Sequence, residues 1–228
     1  RRQRQMCIRD RVEDPDKGIG YRLVSREIML YLDPQTGEIL RRFDNPWTGA
    51  SNEVIHVAND PVNQRPGFGI NADGSEKAFT YRDVNGQYLI NYEIPLFYKN
   101  AMGGDYQKYV GGSYHATEIF DFNGDVAELL DASKPVAYPV ISWVRLAPWL
   151  PWMEMNGRAG MLYFNAMGRK LENYEQLSDV IKAEIAQQYP DYTTPPPLDD
   201  PRRNETSWTF MKKIIDSRTE EAATTPQH

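Results

Sequence analysis

The dipeptides Asn85-Gly86 and Asn123-Gly124 each stand between runs rich in β-branched and aromatic residues. An Asn-Gly pair adopts the positive backbone angles of a two-residue hairpin turn at little steric cost, which makes it the strongest short-range hairpin signal a chain carries. The first dipeptide joins predicted strands over residues 77–83 and 87–94, and the second joins 113–122 to 125–130. Similar turn chemistry lies upstream. Asp33-Pro34-Gln35-Thr36-Gly37 predicts a hairpin between a strand over 20–32 and its return over 38–43. The corner DNPWTG, 44–49, then leads into a strand over 52–58. Strands over 136–146 and 160–168 flank a corner rich in Trp, Pro and Met, while 59–76 and 95–112, with their Gly, Asn, Asp or Tyr, are predicted as loops.

Beyond residue 176 the period changes. Leu177, Ile181, Ile185 and Tyr189 recur every four residues, Ser178 stands at a capping position and Pro190 stops the run, so the spacing predicts a helix with one buried face. A proline-rich connector over 193–200 follows, and Trp208, Met211 and Ile215 suggest a second helix or a closing strand. Eight or nine strands joined by local hairpins, with helices only at the end, read as mainly β and antiparallel. A long meander avoids exposed edges by closing. The expected fold is therefore an up-and-down β-barrel, lipocalin- or calycin-like, with C-terminal helices; a two-sheet antiparallel sandwich is the alternative. Length favours a single domain over 12–217, followed by a polar tail over 218–228.

Composition excludes several classes. A net charge of −6 without clustered Lys and Arg argues against nucleic acid as a partner. No apolar run approaches the ~20 residues of a membrane-spanning helix. There is no GxSxG elbow, no GxxxxGK and no GxGxxG, so no organic or nucleotide cofactor is expected. The histidines show no HxH, HxxxH or HExxH spacing. His56 and His115 with a carboxylate would be a minimal metal set, and no metal is assigned. The first eleven residues, RRQRQMCIRDR, read as translated sequencing adapter, which would make Cys7, the single cysteine, foreign to the natural chain.

Longer phrases carry a family resemblance. GYRLVSREIMLYLDPQTGEIL, NPWTG, EVIHVANDPVN, WVRLAPWLPWMEM, GMLYFNAMGRKL and NETSWTFMKK resemble the bacterial proteins catalogued as domain of unknown function 1838. The resemblance spans 12–215. It implies no activity and no catalytic residues. It does imply that members are commonly exported by the twin-arginine route, so a periplasmic or a cytoplasmic location stays open here.

Two groups of residues can carry chemistry. His56, in EVIHVANDPVN, is a candidate general base with Asp60 fixing its tautomer; a structural histidine at a strand-to-loop junction is the plain alternative. Arg145 follows Trp143 by two, so both project from one strand face. An arginine there either anchors a carboxylate ligand or closes an internal ion pair. Trp143, Trp149, Trp152, Met153 and Arg158 are candidate ligand contacts at the Trp corner, or core, and Tyr163 on the return strand is a candidate proton donor. The leading expectation is a cofactor-independent lyase, isomerase or hydrolase acting on a small apolar or aromatic, possibly carboxylated molecule. Its alternative is a non-catalytic, lipocalin-like small-molecule binder, and a structural module is third. Oligomeric state is left open.

Overall fold

Every strand pairing among the described residues is antiparallel. The computed structural model describes residues 2–77, 80–100, 112–131, 133–134, 136–155 and 157–224. Their contacts gather into two units, one made of Arg1–Ala78 with Ser178–His228 and the other of Phe79–Leu177.

In the first unit β1 (Arg2–Asp14), β2 (Gly18–Leu30) and β5 (Val57–Ile70) form a three-stranded sheet with β2 in the middle. The segment that reads as adapter thus contributes backbone to β1. The turn after β2 forms as its residues require: Asp33 Oδ1 accepts the N–H groups of Gln35 and Thr36, and Gly37 takes φ +73°. The return strand is reduced to a bridge between Leu32 and Ile39, followed by a short ribbon of β3 (Arg42–Asp44) and β4 (Ser51–Glu53).

The stretch 59–76 is a correction. Most of it is not loop but β5, fourteen residues long. Its turn-forming residues sit in irregularities of the β2–β5 ladder. Asp60 and Pro61 oppose Arg26 alone, Arg65 and Pro66 oppose Arg22 alone, and Gly69 falls in the third shift. A bulge removes the need for a ladder N–H that proline lacks, so the strand continues through residues that would end a regular one.

Two helices complete this unit, α2 (Asp179–Gln188) and α3 (Ser207–Thr224). Their buried faces, Ile181 and Ile185 on α2 and Trp208, Met211 and Ile215 on α3, join a core supplied by Val24, Ile28, Leu30 and Val57 of the sheet. Of the alternatives for 207–215, helix is the one formed.

The second unit is a meander in chain order: β6 (Arg82–Val84), β7 (Gln87–Lys99), β8 (Ser113–Asp125), β9 (Val140–Ala147) and β10 (Leu162–Arg169). The Asn85-Gly86 hairpin forms as predicted, with φ +54° and +80° at its two residues. The Asn123-Gly124 hairpin does not. Both residues stay in β8, across from Leu89 and Tyr88, and the chain passes directly into a single helical turn, α1 (Val126–Leu129). Gly124 is needed there for room: a Cβ at that position would lie 2.6 Å from the Tyr88 hydroxyl. Likewise 95–99, predicted as loop, continue β7; most of the remainder of that predicted loop lies outside the described residues.

Mainly antiparallel β with few helices is what the sequence predicts and what the chain adopts. Among the described residues the strands make open sheets of three, five and two, with no closed barrel, and a two-sheet sandwich is compatible with them.

Candidate functional site

Val54, Ile55 and His56 connect β4 to β5 without belonging to either, and all three are buried. The in-and-out alternation expected over 52–58 is therefore absent. The segment is tied to its neighbours instead, with Val54 N–H donating to the Arg41 carbonyl at 3.0 Å. His56, 6% exposed, accepts the backbone N–H of Tyr31 at Nδ1 (3.1 Å) and stacks on the Tyr31 ring at 5.9 Å. An N–H can only be received by a lone pair, so the proton of the neutral ring sits on Nε2. Among the described residues that Nε2–H is buried without a hydrogen-bond partner. Burial pushes the imidazole pKa down to about 4, against a smaller upward pull from Glu184, so the ring is neutral at physiological pH. A ring of this kind is a donor. Its acceptor nitrogen, the one a general base would use, is occupied by the Tyr31 N–H.

His56 lines a cleft of about 420 Å³ in the first unit, between the 53–56 segment, the end of α2 and the exposed side of α3. Val54, Ile55, Phe210 and Ile214 give it an apolar wall, and Arg41, Arg42 and Arg218 give it cationic groups, of which Arg218 pairs at 2.8 Å with Glu53, also in the lining. Glu184 extends from the buried face of α2, only 3% exposed, and receives both guanidinium nitrogens of Arg41, Nη1 at 2.7 Å. Such a two-point pair fixes the Arg41 plane while half of its side chain stays in solvent. Tyr189, also in the wall, has its hydroxyl pKa raised by burial and by Glu184, so it too remains an uncharged donor.

Asp60 is engaged elsewhere. Its carboxylate receives Arg26 Nε at 3.0 Å and Arg202 Nη1 and Nη2 at 3.2 and 3.0 Å. Arg26 also donates to the Thr194 carbonyl at 2.9 Å, and Arg202 holds Asp200, lowering that carboxyl's pKa. Asp60 thus fastens the β5 bulge to the proline-rich connector. The hydrogen bonds of His56 and Asp60 lead to other groups, not to each other, because the bulge turns Asp60 toward Arg26.

The remaining sequence-predicted residues lie in the second unit. Trp143 and Arg145 do share one face of β9, as their spacing requires. Arg145 is internally paired, Nη1 with Glu118 on β8 and Nη2 with the Tyr114 hydroxyl at 2.7 Å. Trp143 is 7% exposed and belongs to an aromatic stripe crossing four strands, Tyr92, Phe122, Phe120, Trp143 and Phe164, with successive ring centroids 6.0 to 6.4 Å apart.

Tyr163 stands opposite Leu146, on the other face of the sheet from Arg145, and is 62% exposed. At the corner, Trp152 and Met153 are buried in a 3-10 turn begun by Pro151, whereas Trp149 is half-buried. Trp149 lies over Gly160, where a Cβ would come within 2.5 Å of the ring, and donates Nε1–H to the carbonyl of the exposed Arg158 at 3.1 Å.

Arg41, Glu184 and Tyr189 escape sequence reasoning about the site. One sign was available: Glu184 falls on the same helical face as Ile181 and Ile185, and a carboxylate inside an apolar stripe needs a cationic partner. Among the described residues no group of three or more His, Cys, Asp and Glu is gathered as metal ligands. No helix among them is long and apolar enough to cross a membrane.

The family model described as protein of unknown function (DUF1838) matches residues 4–215, and the chain belongs to that family. No curated protein and no solved structure matches it.

Proposed function

We propose that this DUF1838 protein binds a small molecule with an apolar or aromatic body and an acceptor oxygen, a carboxylate foremost, in the His56 cleft. The observation that carries the proposal is the Nε2–H of His56, buried without a partner among the described residues, in a residue that lines a cleft of apolar side chains and three arginines. An unmade hydrogen bond at a buried donor costs about 1–3 kcal/mol, which an acceptor oxygen of a ligand recovers. The cleft's size falls within the range of about 300–1,000 Å³ common to small-molecule sites. Binding without turnover is favoured because the acid–base pair expected of His56 and Asp60 is not made: one ring nitrogen is committed to Tyr31 and the carboxylate to two arginines. Closure of the meander into a lipocalin-like barrel is not required.

A second reading, cofactor-independent catalysis on the same ligand class, draws on the uncharged donors of two residues that line the cleft, His56 Nε2–H and the Tyr189 hydroxyl. Donors of that kind polarise a carbonyl oxygen, which makes His56 an electrophile.

Calorimetric titration of the chain with 3-phenylpropionate and with its alcohol analogue tests the proposal. Binding of the acid is expected to weaken about 10- to 100-fold in His56→Phe and to be partly retained in His56→Gln, which keeps an amide donor. Equal affinity in all three proteins, or preference for the alcohol, would remove His56 from the site. Weakening by Tyr92→Ala in place of His56→Phe would move the site to the aromatic stripe. Turnover of a carbonyl analogue that is lost in His56→Phe would select the enzyme.

A further inference from the structure

The two edges of the five-stranded sheet are unlike. The β6 edge is three residues long and carries Arg82 and Asp83, the short and charged form that keeps a sheet from extending. The β10 edge is eight residues long, pairs along its whole length with β9, and has no charge before Arg169. Its neighbour Met161 is 59% exposed, and on one face Tyr163 and Met167 are 62% and 79% exposed. Leu146 and Val140 of β9, across from Tyr163 and Arg169 on that same face, are 37% and 48% exposed. A long, uncharged edge bordered by exposed apolar side chains is a template for another strand.

We infer that the occupant is the β10 of a second copy, paired antiparallel across a two-fold axis so that two meanders become one ten-stranded sheet. A two-fold perpendicular to the sheet keeps each side chain on its own face and is therefore centred on a residue. Centred on Asn165, it sets Tyr163 across from Met167, Phe164 across from Ala166 and Leu162 across from Gly168, and repeats each pair. Large residues meet small ones, and the thioether of Met167 meets an aromatic ring, a contact worth about 0.3–1.5 kcal/mol. Arg169 falls across from Met161, so no like charges are opposed. The two-fold pairing uses the β10 edge of both copies and so closes the assembly at two. One strand pair buries less than the roughly 1,600 Å² of a standard interface, which makes the dimer concentration-dependent.

Sedimentation velocity of the full chain over a concentration series is expected to show a monomer–dimer equilibrium. Met167→Lys, at an exposed position where the fold is indifferent to the change, should raise the dimer Kd at least tenfold while leaving the circular dichroism spectrum unaltered. Opposed residues in antiparallel strands have Cα atoms about 4.5–5.5 Å apart, within disulfide reach. Asn165→Cys in a Cys7→Ser background should therefore oxidise to a linked dimer, and Val84→Cys on the β6 edge should not. A monomer at every concentration, a series running beyond dimer, or equal cross-linking at both edges would overturn the inference.

Discussion

In the proposed site His56 contributes the proton it keeps. Burial holds its pKa at about 4, below the ordinary 6.5, so the unfolded chain takes up a proton over that interval and the folded chain does not. Stability contributed by the neutral ring is thus complete above pH 6.5 and is lost as pH falls toward 4, by about 3 kcal/mol in all. Urea unfolding at pH 7 and pH 4 should show this loss in the wild type and a correspondingly smaller one in His56→Phe. Equal losses in the two proteins would mean that the imidazole titrates alike in the folded and unfolded chain.

Arg41→Ala has two expected effects. It strands the buried Glu184 carboxylate, at a cost of about 3–5 kcal/mol. It also removes a cation that lowers the His56 pKa while sparing the carboxylate that raises it, so the imidazole should titrate above 4 in the NMR spectrum of the variant. His56 was visible in the sequence as a lone polar residue in an apolar run. Its surroundings were not, because Glu184 comes from a helix more than a hundred residues later and local pattern carries no information about which helix meets which strand.

At the scale of elements, identical dipeptides met different fates. Asn85-Gly86 turns the chain because it needs positive φ at both residues. In β8, Gly124 was selected for the space that its missing side chain leaves to Tyr88. Gly124→Ala should cost about 1–3 kcal/mol through displacement of the Tyr88 ring, whereas Gly112→Ala, with open space around its Cβ, should leave the urea midpoint unchanged. Comparable losses at both glycines would refute the steric account. The β5 strand teaches the same lesson in reverse. Its prolines and glycines resemble a loop when counted, and only the register against β2 reveals that they occupy bulges. Helix α2 was legible because its apolar spacing repeats over several turns, a signal that single turn residues lack, whereas Trp208, Met211 and Ile215 alone left α3 open between helix and strand.

For the whole molecule, the antiparallel class and the sequential strand order of the meander followed from hairpin chemistry, but closure did not, since it depends on which strands meet at the ends. The division into two units was equally hidden: the first is assembled from the beginning and the end of the chain, a non-local arrangement with no mark in composition. His56 and Asp60 belong to one unit and Trp143, Arg145 and Tyr163 to the other, and the functional proposal concerns the His56 cleft of the first. The most direct test of that claim is a long-range proton–nitrogen correlation spectrum of the imidazole rings in the full chain, recorded with and without 3-phenylpropionate. The account predicts a neutral His56 ring protonated at Nε2 down to about pH 5, with its Nε2 resonance moving as the acid binds. A proton on Nδ1, a ring that charges near pH 6.5, or an Nε2 signal indifferent to bound ligand would contradict it.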